Sequence, residues 1–460
     1  MAGSIARWLD SLIDHYVTAC VFLALFILTW VGVGDVRIVS MLGLILCVVG
    51  LVQGPAQVDL WIFVPLVVYD LMSVASSYAA YGNIVDGLAS TQLIYLALYL
   101  LIAGLSGGEL RLLKRSCVLW AGIVALAGIG QYALRTAVVG GGARLSGILG
   151  NPNAMGIFLV VGWFALMHCG PEEGETPPRW VRLLPRLEPV LLAALALTLS
   201  LGSFIAMAGG ILWLAAAQAR RTSFAEASRS ICRLLAKATL GMGTGLLIYL
   251  TATRTNVPWA CLPMLLYVAA MAACWDRLER FLDAFPKIAA AIAAAGSLVA
   301  AGAVVIRPSA LDTFAERLEM MGSALRYLTE DPLLGIGPYR WRLLDMHDGG
   351  TYFATWHIHN ALLHVGVELG WIAMAMIAAV AVRALSKRSK PAEKAGLAAF
   401  ILHTLIDTSF FHMGDLTLAM MTACHPQTGG KTVDRTVLRL LFGAFAARFA
   451  WGLWLSVRMI

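Results

Sequence analysis

Long apolar runs, broken by short polar or basic intervals, recur along the whole chain. Crossing a bilayer as a helix takes ~20 mostly apolar residues. Stretches near that length lie at 16–33, 38–53, 59–76, 91–106, 117–134, 153–169, 190–202, 203–219, 238–253, 257–274, 287–306, 358–382, 396–411 and 415–426. The stretch 438–457 is apolar but holds Arg448, so a surface helix and a last span both fit it. Residues 190–219 are short for two spans and read as a tilted or broken hairpin. The pattern predicts an all-α polytopic membrane protein with 12–14 transmembrane helices. Barrel strands would alternate over ~10 residues, and no such alternation is seen. The first run, Tyr16 to Val33, is too long for a signal-peptide core and lacks a clear cleavage site.

One long polar interval stands apart, and it sets the expected organisation. Residues 1–306 are read as transmembrane helices with short loops. Residues 307–357 form one sizeable external loop carrying an amphipathic helix, and 358–426 return to transmembrane helices. Residues 427–460 form a basic C-terminal segment, either a surface helix or the last span.

Composition agrees with that picture. The chain is 60% hydrophobic and only 13% charged, against about 25% charged in soluble domains. The net charge of +7 gathers in loops. Arg111, Lys114 and Arg115 form one basic group, Arg220, Arg221, Arg229, Arg233 and Lys237 a second, and Arg383, Lys387, Arg388, Lys390 and Lys394 a third. All three fall on one side under the span assignment, the cytoplasmic side by the positive-inside rule. The 135–152, 253–257 and 307–357 connections are then external. No basic stripe interleaved with aromatics suggests nucleic-acid binding. The eight cysteines show no metal-ligand spacing, and none lies in 307–357.

Three external segments carry candidate chemistry. In the first, Arg144-Leu-Ser-Gly-Ile-Leu-Gly-Asn-Pro-Asn153, Asn151 can cap the next helix with Pro152 in its first turn. The amides of that helix start could receive an anion, with Arg144 adding a phosphate contact. Taken alone, an ordinary capped helix start with an interfacial arginine is the simpler reading, since capping by itself explains Asn-Pro. In the second, Glu316 to Leu328 reads as an amphipathic helix with an apolar stripe of Leu318, Met321, Leu325 and Leu328. Arg317 and Arg326 flank that stripe, and each also fits a solvated face. The turn-rich Asp331-Pro-Leu-Leu-Gly-Ile-Gly-Pro338 follows.

The third segment, Thr355 to Gly370, is the most informative, because ionisable groups entering a membrane default to function. On a continuous helix His359, Gly366 and Gly370 fall within ~20° of one azimuth. Gly366-x-x-x-Gly370 would allow close helix approach and hold His359 firmly. Asn360, His364 and Glu368 share an adjacent face, with His364–Glu368 a candidate buried pair. A metal site on His347, His357 and His359 is a rival, though His-x-His on a helix splits the rings between faces. No nucleophile elbow for a serine hydrolase is found. Asp70 and Asp407 read as structural acids within the membrane.

Taken in order, the three segments resemble the O-antigen ligase/polymerase superfamily over roughly residues 60–425. Arg144-x-Ser-Gly-x-x-x-Asn-Pro-Asn153 is similar to its first external motif, and Arg317 to Gly337 to its external-loop motif. His359-Asn360, nine residues, then Gly370 is similar to the ligase signature, with Ala373 standing where Gly, Thr or Tyr is expected. The family's Ser/Thr-Arg pair has two candidates here. Leu199-Ser200-Leu201-Gly202 has the usual distance from Asn153, and Thr253-Arg254 has the arginine; Arg254 is preferred as an external cation.

The resemblance implies a metal-independent, inverting glycosyltransferase of the O-antigen ligase type, multi-pass in a bacterial inner membrane with a periplasmic active site. The donor would be a glycan on undecaprenyl pyrophosphate and the acceptor lipid A-core; a polymerase would use a second lipid-linked repeat. His359 would be the general base, since histidine changes charge nearest neutrality. Arg144, Arg254, Arg317 and Arg326, with Asn153 and Asn360, would bind substrate, the arginines neutralising the departing pyrophosphate. No cofactor is expected. A lipid-linked sugar transporter is the reading from another functional class.

Overall fold

The computed structural model describes residues 15–89, 91–140, 143–170, 175–254, 258–306, 309–347, 356–387, 389–425 and 430–458. Helices dominate. In chain order they include α1 (Tyr16–Val31), α2 (Val36–Val52), α3 (Leu60–Tyr81), α4 (Leu93–Ala103), α5 (Gly107–Val139), α6 (Pro152–Leu166), α7 (Glu188–Thr198) and α8 (Leu201–Ala219). Then follow α9 (Phe224–Arg254), α10 (Cys261–Ala284), α11 (Pro286–Ile306), α12 (Ser309–Glu330), α13 (Ala361–Ser386), α14 (Pro391–Thr404), α15 (Met413–Ala423) and α16 (Arg435–Arg458). Two short strands, β1 (Ala56–Val58) and β2 (Lys431–Val433), pair antiparallel, Ala56 opposite Val433.

Eight helical stretches among the described residues are long and apolar enough to cross a membrane. The chain is therefore an all-α polytopic membrane protein in architecture. The ambiguous last segment belongs with these eight, because Arg435–Val457 meets the same criteria. Its α16 packs along α2, where Gly43 faces the ring of Phe449 and Gly50 the ring of Phe442. Arg448 does not interrupt it. The guanidinium pairs with Asp70 and donates to the carbonyls of Gly87 (2.7 Å) and Leu88 (3.1 Å). A charge matched in this way is tolerated among apolar helices.

The chain divides into two compact units. Unit 1 comprises Met1–Leu113, Phe314–Arg388 and Thr404–Ile460; unit 2 comprises Lys114–Thr313 and Ser389–His403. In unit 1, α4 is buried over Leu93 to Ile102, and α13 packs along α3 through Tyr69, Val365, Leu369 and Ala373. In unit 2, α6 and α7 are buried almost all round, as expected of helices apolar on every face. The expected 190–219 break is present. Leu199 takes a left-handed conformation (φ 48°), ending α7, and the Ser200 hydroxyl caps α8 through the Ser203 amide (3.3 Å).

Candidate functional site

In unit 1 the polar chemistry gathers around α12 and the start of α13. The buried row of α12 is Met320, Ala324 and Leu328, packed with Ile336, Trp341, Ile358 and Val367. Of the expected stripe Leu328 belongs to this row, whereas Leu318 and Leu325 are about half exposed. The phase has a consequence for Arg317. Three residues before Met320, it lies on the buried face rather than flanking it, and its side chain is only 20% exposed. Arg326 is exposed, its guanidinium over the Tyr327 ring at 5.2 Å.

Arg317 meets the turn that follows α14. Its Nη1 donates to the Ile406 carbonyl (2.5 Å) and its Nη2 to Asp407 Oδ2 (3.0 Å). The other carboxylate oxygen, Oδ1, accepts from the Thr408 amide (2.7 Å) and lies 3.6 Å from His359 Nδ1. Asp407 is 2% exposed. It therefore links an arginine and a histidine in one buried line, a role its reading as a scattered structural acid missed. Arg317 is ninety residues from it in sequence, beyond any local pattern; the polar trio Asp407-Thr-Ser409 after an apolar run was the one signal available.

Asn360 is the N-cap of α13, its Oδ1 accepting from the Leu363 amide at 3.0 Å. The cap engages the Oδ1 of Asn360, a residue expected to bind substrate. His357 is half-buried and stacks on Phe411 (centroids 4.3 Å, 17°), and His364 meets the same ring edge-on at 4.6 Å. Burial, together with the neighbouring His364 and His412, pushes the His357 pKa well below the usual histidine range. His364 Nε2 lies 3.4 Å from Glu368 Oε2, both buried, in the arrangement expected. The side chain of His347 lies outside the described residues. Among the described residues no group of three His, Cys, Asp or Glu side chains gathers as a metal site.

The helix itself departs from expectation. Gly370 has φ 86° and ψ 173°, so α13 is broken there and the single azimuth does not run through it. The Asp331–Pro338 turn fills the break. The Ile336 amide donates to the Val367 carbonyl (2.9 Å), Gly337 to Glu368 (3.1 Å), and the Trp371 amide to Pro332 (2.8 Å). Backbone groups freed by a break in a membrane helix need such partners. Gly335 (φ 68°) crosses against the Glu368 carbonyl, where a Cβ would stand 2.6 Å from the oxygen. The glycine pair that matters is thus Gly335 with Gly370. Ser76 Oγ (2.7 Å) also donates to the Glu368 carbonyl, and the Trp341 amide to its carboxylate (3.2 Å).

Unit 2 holds a separate polar cluster. Asn151 caps α6, its Oδ1 accepting from the amides of Asn153 (2.8 Å) and Ala154 (3.3 Å). Pro152 has no amide hydrogen, and Met155 bonds to the Asn151 carbonyl. The first-turn donors proposed for an anion are thereby occupied. Arg144 turns inward, donating to the Thr198 carbonyl (2.9 Å) and Asn153 Oδ1 (2.6 Å). Ser200 Oγ joins Asn153 Oδ1 (3.0 Å), Ser203 Oγ joins Ser200 Oγ (2.9 Å), and His403 Nε2 lies 3.3 Å from Ser203 Oγ. Between the two candidates for the Ser/Thr-Arg pair, the structure brings the Ser200 segment to Arg144 and Asn153. Arg254, the preferred one, is exposed at the end of α9 and joins no such pair among the described residues.

No protein-family model matches this chain, and a search of curated proteins returned no relative. The resemblance to O-antigen ligases therefore rests on the motifs themselves.

Proposed function

We propose that this protein is a membrane glycosyltransferase of the O-antigen ligase type, working at the periplasmic face of a bacterial inner membrane. The observation that carries the reading is the line Arg317–Asp407–His359 at the start of α13. Asp407 Oδ1 faces Nδ1 at 3.6 Å, beyond hydrogen-bond length, and orients the ring with Nε2 left to accept a proton. In the proposed step Nε2 takes the acceptor hydroxyl proton. The acceptor oxygen bonds to the anomeric carbon, and the bond from that carbon to undecaprenyl pyrophosphate breaks, its electron pair leaving with the phosphate. Attack opposite the leaving group inverts the centre.

Arg317, engaged with Asp407 and Ile406, is a positioning residue in this scheme. Arg144, Arg254 and Arg326 remain the proposed cations for pyrophosphate, each to be tested singly by donor affinity. The basic loops, which set the cytoplasmic side, support the periplasmic assignment of 307–357.

The test is transfer by purified protein from undecaprenyl-pyrophosphate-linked glycan, with EDTA present. Lipid A-core is offered in one reaction and only lipid-linked repeats in another. Glycosylated lipid A-core is the expected product. Two rivals have one observation each. Ala373, at the place where ligases carry Gly, Thr or Tyr, favours a polymerase, which would yield longer lipid-linked chains alone. The broken α13 favours a transporter, which would move the donor across vesicles with its mass unchanged and release no undecaprenyl pyrophosphate.

A further inference from the structure

His359 lies between two anchored residues of unit 1. On one side Asn360 caps α13. On the other, Ile358 is fixed twice. Its side chain is buried in the cluster with Met320, Trp341 and Val367. Its amide donates to His364 Nδ1 at 3.3 Å, a buried bond between residues six apart in the chain. The backbone from which His359 projects is therefore held by a histidine side chain.

That bond fixes the His364 tautomer. An amide can only donate, so Nδ1 carries no proton and the ring proton sits on Nε2. Nε2 faces Glu368 Oε2 at 3.4 Å, the two side chains 5% and 10% exposed. The other oxygen, Oε1, accepts from the Trp341 amide at 3.2 Å. That amide belongs to the backbone of a buried residue. The imidazole is packed against Phe411 at 4.6 Å and His357 at 5.0 Å. Which imidazole nitrogen holds the proton is set by the partner that each one meets. Glu368 draws the proton to Nε2, which leaves Nδ1 to Ile358.

We infer that Glu368 and His364 are positioning residues for His359: the carboxylate sets the tautomer, and the tautomer holds the Ile358 amide. What His359 then does rests on the glycosyltransferase reading; the holding itself does not. Glu368→Gln isolates the idea, because size and shape are kept. An amide offers one acceptor and one donor where the carboxylate offers two acceptors. Turning its NH₂ toward the Trp341 amide would set two donors together on rigid backbone. Turning it toward His364 costs only a proton shift from Nε2 to Nδ1. The shifted proton then meets the Ile358 amide donor to donor, and that bond is lost.

Solid-state ¹⁵N NMR of the histidine-labelled full chain in lipid tests this, with His364 assigned from the spectrum of His364→Asn. The Nε2–H tautomer is expected in the wild type and the Nδ1–H tautomer in Glu368→Gln. Hydrogen exchange at the Ile358 amide should quicken about fivefold in Glu368→Gln. Transfer should fall about tenfold or more in kcat with donor KM retained. Should Glu368→Gln fail to fold, a second pair decides. His364→Asn sets an acceptor where Nδ1 stands and should lose less protection at Ile358 than His364→Leu, which has none. An Nδ1–H tautomer in the wild type, unchanged Ile358 exchange in Glu368→Gln, or undiminished kcat once that protection is lost would overturn the inference. So would equal losses in the two His364 variants. A wild type with the expected tautomer and exchange but no glycan transfer would count against the glycosyltransferase reading alone, and the holding of His359 would stand.

Discussion

Gly370→Ala is the sharpest test of the broken helix. The backbone there (φ 86°, ψ 173°) is one that only glycine adopts without strain, at about 1–3 kcal/mol for another residue. A methyl group would also collide with the Leu333 carbonyl and stand 2.8 Å from the Leu334 amide nitrogen, both rigid backbone. Relief requires the Asp331–Pro338 turn to withdraw, which removes the bonds of Ile336, Gly337 and Trp371 across the break. At about 1 kcal/mol each, the whole effect is on the order of 4–6 kcal/mol, a large share of a typical folding free energy. Gly366→Ala is the control. Its new methyl meets Met374 Sδ at 3.0 Å and Leu328 Cδ1 at 3.3 Å, the ends of flexible side chains, so its cost is expected below about 1 kcal/mol. Thermal unfolding of detergent-solubilised protein, followed by tryptophan fluorescence, separates them. Gly370→Ala should melt at least ~5 °C lower and Gly366→Ala close to wild type. Equal melting of the two variants would refute the break and restore a continuous helix with a symmetric glycine pair.

Three further outcomes follow from the same geometry. His359→Ala should lower transfer by about 10²–10⁴-fold with donor affinity retained, measured by glycan transfer beside donor binding; full activity removes the base assignment. Arg317→Ala leaves the buried Asp407 carboxylate without its cation and should cost about 3–5 kcal/mol in chemical unfolding. Arg317→Ala with Asp407→Ala should recover most of that loss, and simple additivity would refute the pair. His357, held below its unfolded value near ~6.5, makes stability complete above that pH. As pH falls the unfolded chain binds the proton first, so stability drops by up to about 1.4 kcal/mol per pH unit until the folded ring titrates. Melting temperatures from pH 7.5 to 5 should fall more steeply for wild type than for His357→Phe, and parallel slopes would sink this account.

Local chemistry was legible in the sequence, and distant pairing was not. Apolar runs located the eight helices long and apolar enough to cross a membrane, because each run is set by its own composition, while the other expected spans, such as 16–33 and 153–169, fall on shorter helices. The Asn151 cap followed from residue type and position, whereas Asn360, read as part of the helix, is its cap. The stripe on α12 was partly misplaced because several apolar sets share that helix, and only its neighbours Trp341 and Val367 decide which faces inward. The break at Gly370 left no mark on hydropathy, since Leu369 and Trp371 on either side are both apolar. Asp407 carried no hint of Arg317 ninety residues away. The choice of Arg254 over Ser200 followed charge, whereas proximity to Asn153 followed the left-handed turn at Leu199.

The pairing of Asp70 with Arg448 also orders the events of synthesis. The two residues are 378 apart, and at about 5–20 residues per second the ribosome needs on the order of 20–75 s to connect them. Through that interval Asp70 has no Arg448 beside it, and β1 has no β2. Unit 1 thus takes its parts from three separated stretches of the chain, whereas unit 2 is drawn mostly from the continuous stretch Lys114–Thr313. Of the two units the one that carries His359 is the last to be completed, and the Arg317–Asp407–His359 line cannot close until residue 407 has been made.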